Sequence, residues 1–414
     1  MARDLRPATL IAMVPTRLRT RGWLLAVAFV AVLALGILIG GHPTWLPSSL
    51  RSVFVSQTSQ ERQVQSVLNL IAQNYYRPVN TQQLLDNGLE SAVDGLDPYS
   101  HYFPPALYKS FQNQTNPQVT GIGVDVNPEP VGGGIQIEEV FPGSPAAKAG
   151  LAHGDIILAV DGRSLDGKTV NEGSTLIRGP AGTAVELTIR RGGETHKVRI
   201  VRQTITVPVA SSQLLHYQGH KLGYLQFAQF TEGSAGQLRS QVRRMLDDHA
   251  AGLILDLRDN PGGLLAEAVA AASIFIEDGT IVTTRGRNQP THVYVAEGNA
   301  IASRIPMVVL VDHGTASSAE ILTAALQDRG RAKVVGTHTY GKGVFQEIQP
   351  LSNGGALDIT VGEYFTPNGR NLGGGGTKRG AGVTPNVDAP ADAADPDRAL
   401  RVAERTLASE LGPG

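Results

Sequence analysis

The chain has 414 residues, enough for two or three domains, and its 41% hydrophobic and 18% charged residues are ordinary for globular protein. A formal net charge of -1 gives no basis for nucleic-acid binding, and the absence of cysteine excludes disulfides, thiolate nucleophiles and zinc–thiolate sites. The 10 histidines show no metal-ligand spacing such as HExxH, so the sequence predicts neither a metal site nor a cofactor.

A long apolar segment lies near the N-terminus. Residues 23–40 carry no charge and follow Arg17, Arg19 and Arg21. As a helix, a segment of this length rises about 27 Å, close to the roughly 30 Å hydrocarbon core of a bilayer. Because the arginines precede the segment, we expect a single-pass anchor with residues 1–22 in the cytoplasm and the remaining chain outside. A cleaved signal peptide is the alternative, and it also exports the body of the protein.

Two amphipathic helices are predicted in the next region. Residues 41–60 are polar, contain prolines and are expected to form a linker, and the helical region should cover 61–118. The first helix is indicated by apolar residues at helical spacing: Val64, Val67, Leu68 and Ile71. The second has Thr81 as a candidate N-cap and an apolar side formed by Leu84, Leu85, Leu89 and Val93.

Residues 119–205 are rich in strand-like runs, including "GIQIEEVF", "DIILAVDG" and a hairpin with Gly192 and Gly193 at its turn. The stretch "VFPGSPAAKAGLAHGDIILAVDG" resembles the middle of a PDZ domain. By that resemblance, "TGIGV" occupies the loop that receives a peptide's terminal carboxylate on backbone N–H groups. The peptide-binding candidates are therefore Gly121, Ile122, Gly123 and Val124. A β-domain used only for packing is the alternative.

Strands and helices alternate in residues 206–388, which predicts an α/β domain with a mainly parallel sheet and sites at the strand-to-helix turns. Residues 389–414 form a tail that contains a helix from Asp395, with Pro396 in its first turn. The predicted architecture is an α/β catalytic domain with an inserted, mainly β PDZ domain, an N-terminal helical segment and one transmembrane helix.

Two strand-to-helix turns carry candidate chemistry. In "LRDNPGGLL", Gly262 and Gly263 open a helix, where free backbone N–H groups can hold an anion; a plain tight turn is the alternative. In "VDHGTASSAE", Ser317 and Ser318 stand where a strand becomes a helix. One of them is either a nucleophile or an ordinary helix cap, with Glu320 completing a capping box on Ser317.

A nucleophilic serine needs a base. His313 is four residues before Ser317 and belongs to the same turn, so a Ser-His-Asp triad is poorly supported. Lys342 lies between Gly341 and Gly343, which allow its side chain to enter a tight pocket. Apolar surroundings would have to lower the lysine pKa from about 10.4 before it could act as a base near neutral pH.

The segment "GTASSAEILTAALQDRGRAKVVGTHTYGKGVFQ" resembles the catalytic core of the carboxyl-terminal processing peptidases, also called tail-specific proteases. The resemblance extends to "DPYSHYF", "LRDNPGG", "EYFTPNGR" and "GVTPNV", and it implies a crotonase/ClpP-like catalytic fold. Two departures, Ser318 in place of alanine and Tyr340 in place of phenylalanine, remove no catalytic group.

By this resemblance, Ser317 is the nucleophile, Lys342 is its base and Gln346 steadies the lysine. The oxyanion donors it implies are the backbone N–H of Gly262 or Gly263 and that of Ser318. Arg178 matches a position that couples peptide capture to the active site in some relatives, although a simple salt bridge is equally compatible. Asp328 matches an acidic position implicated in some relatives, and we expect it to be structural.

The sequence thus predicts a serine endopeptidase that captures free, apolar C-termini of exported polypeptides and cleaves them. It would be anchored in the cytoplasmic membrane with its catalytic part in the periplasm or an equivalent space, and it could act as a homo-oligomer or with an activating adaptor. A catalytically silent PDZ adaptor is the main alternative. An enzyme of small molecules with a crotonase-like core is a third, which the PDZ insertion disfavours.

Overall fold

The computed structural model describes residues 59–115, 118–129, 133–376, 379–390, 392 and 395–412. The expected membrane anchor at residues 23–40 and nearly all of the expected linker therefore lie outside the described residues. Within the described ranges, no helix is long and apolar enough to cross a bilayer. The chain forms two compact units that divide between Gly88 and Leu89.

Two helices begin the described chain, as the apolar spacing predicts: α1 (Ser59–Asn74) and α2 (Thr81–Asp94). The predicted cap of α2 is wrong by one residue. Thr81 is the first helical residue, and the side chain of Asn80 accepts the backbone N–H of Gln82 and Gln83 at 3.0 and 3.2 Å. The short polar side chain that directly precedes the first helical residue thus supplies the cap. A short strand, β1 (His101–Phe103), and α3 (Pro105–Thr115) follow.

The PDZ region contains the predicted β-rich unit. Its elements are β2 (Gln118–Gly121), β3 (Val124–Pro128), β4 (Ile135–Val140), α4 (Pro145–Lys148), β5 (Ile156–Val160), β6 (Arg163–Ser164), α5 (Val170–Ile177), β7 (Ala184–Arg191), β8 (Glu194–Val201) and β9 (Gln203–Thr206). The antiparallel sheet has the order β3-β4-β5-β7-β8, and the predicted hairpin turn at Gly192 and Gly193 is confirmed. A separate ribbon of β2 and β9 joins the two ends of the unit.

The α/β region supplies the remaining elements. They are β10 (Ala210–Tyr217), β11 (His220–Phe227), α6 (Ser234–Asp247), β12 (Gly252–Asp256), α7 (Leu265–Ala272), β13 (Thr280–Arg285), β14 (His292–Val295), β15 (Met307–Val311), α8 (Ser318–Asp328), β16 (Lys333–Gly336), β17 (Val344–Pro350), β18 (Ala356–Phe365), β19 (Val387–Asp388) and α9 (Arg398–Leu411). The terminal helix begins at Arg398, three residues later than the prediction of Asp395.

The main sheet is mostly parallel, as predicted: in the order β10-β11-β12-β15-β16-β19, only the β10–β11 pair is antiparallel. Strands β12 and β15 are buried along their whole length because both faces of the sheet are covered. Helices α6, α7 and α8 share a core with one face, and α9 packs on the other through Ala403 and Leu407. The carboxyl ends of β12 and β15 lead into the two turns that carry candidate chemistry.

A second sheet, which the sequence did not predict, lies beside the loop that follows β16. Its order is β1-β18-β13-β14, and β17 forms a hairpin with β18. Strand β1 pairs with β18 through His101 opposite Asp358 and Phe103 opposite Ala356. This pairing brings the segment just before β1 next to the strand hairpin that carries Gln346.

Candidate active site

Ser317 is the N-cap residue of α8 and adopts a rare backbone conformation, with φ 53° and ψ -117°. A non-glycine residue rarely has a positive φ, and such strain persists only when neighbouring structure fixes it. The turn before it is fixed by the carboxylate of Asp312, which accepts the N–H of Gly314 at 2.9 Å and of Thr315 at 3.1 Å. A strained strand-to-helix turn of this kind projects a serine side chain away from the sheet.

The "PGG" turn packs directly against Ser317. A Cβ placed on Gly262 would lie 2.8 Å from both the Cβ of Ser317 and the backbone N of Ser318, so only glycine fits there. Gly262 has φ 95° and donates its N–H to the side chain of Asn260 at 2.9 Å. In the described part of the chain, the N–H groups of Gly263 and Ser318 have no protein acceptor. The two predicted sources of oxyanion donors are thus adjacent, and of the two glycines Gly263 has the available N–H.

Ser318 differs sharply from its neighbour. Its side chain is buried, with 2% of the residue exposed, and its hydroxyl donates to the carbonyl of Gly263 at 2.7 Å. The Ser318 hydroxyl therefore ties the helix to the "PGG" turn, whereas Ser317 remains partly exposed.

Glu320 joins the serine turn to the lysine loop. One of its carboxylate oxygens accepts the backbone N–H of Ser317 at 2.9 Å and that of Lys342 at 3.0 Å. The other accepts the hydroxyl of Thr339 at 2.5 Å and the N–H of Gly341 at 2.7 Å. Burial raises the pKa of this fully buried carboxyl, and the four hydrogen bonds oppose that rise. The sequence indicated only a helix cap here, because its link to the loop is a long-range contact.

Lys342 lies in a half-buried pocket at the start of β17. Its Nζ donates to the side-chain oxygen of Gln346 at 2.6 Å and lies 5.0 Å from the centre of the Tyr99 ring. Burial lowers the pKa of the Lys342 ammonium, and the carboxylates of Asp358, Asp97 and Glu320 act in the opposite direction. The phenol of Tyr364 also holds the carbonyl of Lys342. Desolvation with a lowered pKa is what a lysine base requires.

The PDZ loop is built by backbone hydrogen bonds. The carbonyl of Ile122 accepts from Ala146 at 2.8 Å, and that of Gly123 accepts from Phe141 at 3.0 Å. Gly121, Ile122 and Gly123 are buried, and Val124 begins β3, the edge strand of the PDZ sheet, with α5 packed beside it. An edge strand beside a helix is the place where an extended peptide can be added to the sheet.

Three further candidate residues are His313, Arg178 and Asp328. His313 is an exposed side chain within the serine turn. Arg178 is exposed at the end of α5, and no ion pair involves it in the described part of the chain; the end of this helix is instead held by Arg202, whose side chain donates to Ile177 O at 2.7 Å. Asp328, at the far end of α8, pairs with Arg370 at 2.5 Å, and its structural role stays a prediction.

Comparisons with known proteins agree with this geometry. Residues 221–389 match the model of peptidase family S41, and residues 136–191 match that of a PDZ domain. A carboxy-terminal-processing protease of Bartonella bacilliformis is 35% identical over 328 residues, covering 78% of this chain and 73% of the relative. A carboxyl-terminal-processing protease of Synechocystis is 34% identical over 300 residues, covering 72% of this chain and 70% of the relative.

A solved S41-protease structure from Bacteroides fragilis covers 86% of this chain and all of its own, with 17% identity and a TM-score of 0.51, which supports the shared fold. The chain therefore belongs to peptidase family S41, as a C-terminal-processing serine protease that carries a PDZ domain.

Proposed function

We propose that Ser317 is the nucleophile of this peptidase, that Lys342 is its general base and that Gln346 orients the lysine. The main support is the Glu320 carboxylate, one oxygen of which accepts the backbone N–H of both Ser317 and Lys342. Because both backbone N–H groups lie about 3 Å from the same oxygen, the backbones of Ser317 and Lys342 are close to each other, and their side chains originate from neighbouring positions. Burial in the half-buried pocket lowers the pKa of the Lys342 ammonium, which favours the neutral amine that a base needs.

The reaction follows acyl-transfer chemistry. Ser317 Oγ attacks the peptide carbonyl while its proton passes to the neutral Nζ of Lys342, which leaves a tetrahedral oxyanion and an ammonium. The ammonium returns this proton to the departing amine as the C–N bond breaks, and an acyl-enzyme remains. Water then attacks the ester, Lys342 takes the water proton, and that proton returns to Ser317 Oγ as the acid product leaves. Gln346 accepts a hydrogen bond from Nζ throughout.

The oxyanion is held by the backbone N–H groups of Gly263 and Ser318. Ser318 is the first residue of α8, where N–H groups have no partner within the helix, and Gly263 directly precedes the N-cap of α7. Gly262 contributes by its lack of a side chain, since this allows the "PGG" turn to lie against Ser317. Fixed donors aimed at a developing negative charge are commonly the largest single contribution to such catalysis.

The PDZ domain captures the substrate tail. Residues 121–124 would hold the terminal carboxylate, and the tail would extend along β3 beside α5. The catalytic domain is proposed to have the crotonase/ClpP-like form that its mainly parallel sheet and packed helices support. Arg178, at the end of α5, is a candidate for coupling tail capture to cleavage.

Residues 23–40 are proposed to anchor the protein in the cytoplasmic membrane with its catalytic part in the periplasm or an equivalent space. The support is the uncharged 23–40 segment with Arg17, Arg19 and Arg21 before it. Substrates would then be exported proteins, and assembly into oligomers or with an activating adaptor would regulate access to them.

The test uses the purified full-length chain and an unstructured reporter with a free apolar C-terminus. Ser317→Ala and Lys342→Ala should abolish cleavage, whereas Ser318→Ala should keep it because only a tethering hydroxyl is lost. An active Ser317→Ala or Lys342→Ala variant refutes the dyad. Binding of the reporter without cleavage by the unaltered chain would instead favour a silent adaptor.

A further inference from the structure

The motif "DPYS" at residues 97–100 lies outside both catalytic turns, yet it forms a tight turn that reaches the lysine pocket. The Asp97 carboxylate accepts the backbone N–H of Tyr99 at 2.8 Å and of Ser100 at 2.9 Å, and it also accepts the Ser100 hydroxyl at 2.9 Å. Strand β1 begins at the next residue and pairs with β18. The turn is therefore fixed beside the strand that carries Thr360.

A continuous chain of hydrogen bonds runs from this turn to the lysine. The Thr360 hydroxyl donates to Asp97 at 3.2 Å and accepts from the Gln346 amide nitrogen at 3.0 Å, while the Thr360 N–H donates to the Ser100 hydroxyl at 3.0 Å. The Gln346 oxygen accepts from Lys342 Nζ at 2.6 Å. Since the amide nitrogen of Gln346 donates its hydrogen bond to Thr360, the amide oxygen of Gln346 is the atom that faces the lysine. The opposite orientation would set the amide N–H₂ group against a donor.

The same turn covers the lysine from another side. The Tyr99 ring lies 5.0 Å from Nζ, a distance at which its face attracts a cation. Burial lowers the pKa of Lys342, while carboxylates on three different elements raise it: Asp358 on β18, Asp97 in the turn and Glu320 on α8. The "DPYS" turn thus contributes both charge and shielding to the pocket.

We propose that Asp97 and Thr360 are positioning residues for the general base: Asp97 fixes Thr360, Thr360 fixes the amide orientation of Gln346, and Gln346 holds Lys342 toward Ser317. The charge of Asp97 also stabilises the ammonium formed when the Ser317 proton arrives. This inference rests on the proposed Ser317–Lys342 dyad and extends it to a segment more than 200 residues away in sequence.

The first experiment compares Thr360→Val with Thr360→Ser on the full-length chain. Valine removes the hydroxyl that accepts a hydrogen bond from the Gln346 amide and donates one to Asp97. We therefore expect kcat to fall by up to roughly 100-fold with little change in KM, as when a reacting group is misplaced by about 1 Å. Serine keeps the hydroxyl and should stay within a few fold of the unaltered enzyme. Equal kcat for Thr360→Val and the unaltered enzyme refutes the role of Thr360.

The second experiment measures kcat/KM against pH for Asp97→Asn. Asparagine keeps an oxygen for the Tyr99 and Ser100 N–H groups, so the turn should remain. Loss of the carboxylate removes an attraction that raises the pKa of Lys342, so the lysine becomes neutral at lower pH. The limb on which kcat/KM rises with pH should therefore move to lower pH. Asp166→Asn, a change of an exposed PDZ carboxylate, should leave the limb in place.

The outcomes separate this inference from the dyad itself. An Asp97→Asn limb that coincides with that of the unaltered enzyme, in protein with normal thermal unfolding, overturns the role of Asp97. Should Asp97→Asn fail to fold, the Thr360 pair decides alone. An active Lys342→Ala variant refutes the dyad. If Lys342→Ala is inactive while Thr360→Val keeps the kcat and Asp97→Asn keeps the pH profile of the unaltered enzyme, only the positioning role is refuted.

Discussion

Glu320 is the residue through which two distant parts of the chain meet. Ser317 and Lys342 lie 25 positions apart, and the same carboxylate oxygen binds both backbones. A buried carboxylate is unfavourable unless it is paired or hydrogen-bonded, and here four donors from the helix start and the lysine loop surround it. Because the buried carboxylate requires those donors, the fold itself fixes the distance between the backbones of Ser317 and Lys342.

Glu320→Gln tests this role. The amide has one acceptor oxygen where the carboxylate has two, so either the pair formed by Ser317 and Lys342 or the pair formed by Thr339 and Gly341 loses its acceptor. We expect a loss of about 1–3 kcal/mol in the free energy of unfolding, typical of unsatisfied buried donors. We also expect kcat to fall by roughly 10- to 100-fold because the dyad loosens. Chemical denaturation and steady-state kinetics measure the two effects.

The matched control is Glu347→Gln, an equivalent change of an exposed carboxylate on β17. It should leave both quantities near those of the unaltered enzyme. If Glu320→Gln lost stability and kept its full kcat, the carboxylate would be structural only.

At the scale of elements, the serine turn and the "PGG" turn act as one unit. The β12–α7 and β15–α8 connections meet at Gly262, where the approach to Ser317 and Ser318 is too close for any side chain. Parallel neighbouring strands place their following turns at the same edge of the sheet, which is why two sequence-distant helix starts can share a site.

Gly262→Ala should therefore impair catalysis much more than it alters the rest of the fold. The new Cβ would lie 2.7 Å from Ala316 O and 2.8 Å from Ser317 Cβ, and φ is 95°. We expect the strain to cost about 1–3 kcal/mol and the displaced donors to lower kcat by at least 100-fold. Gly236→Ala, in helix α6 with nothing within 4 Å of the added Cβ, is the control and should keep full activity. Full activity of Gly262→Ala would contradict the close packing.

Most of these elements could be predicted from local sequence, because buried parallel strands and amphipathic helices leave periodic patterns. The hairpin at Gly192 and Gly193 and strands β12, β15 and β16 are examples. The cap of α2 was misplaced by one residue because Asn80 and Thr81 are both good caps. The second sheet and the contacts of Glu320, Asp97 and Thr360 could not be predicted. They are strand pairings and polar contacts that depend on the packing of the folded chain, and no local periodicity in the sequence indicates them.

At the scale of the whole molecule, the site combines segments from nearly 250 residues of chain. The "DPYS" turn, the "PGG" turn, the serine turn and the lysine loop all belong to the unit that begins at Leu89, and the PDZ domain is inserted between the first two. Because the "DPYS" turn precedes the PDZ domain and the other parts follow it, the PDZ domain is connected at both of its ends to segments that form the candidate site. Strands β2 and β9, which lie in those two connections, pair with each other in an antiparallel ribbon.

Tail capture by such a domain should show itself in KM. A reporter with a free C-terminal carboxylate should bind through charge-assisted hydrogen bonds to the backbone N–H groups of residues 121–124, whereas its C-terminal amide lacks the charge. A loss of about 1.5–3 kcal/mol for such bonds corresponds to a KM roughly 10- to 100-fold higher for the amide. The value of kcat should change little, since the scissile bond lies at Ser317. A short peptide that spans only the cleavage position is the control, and its amide and acid forms should be cut alike. Equal KM values for the two forms of the long reporter would show that the terminal carboxylate is not what the PDZ domain recognises.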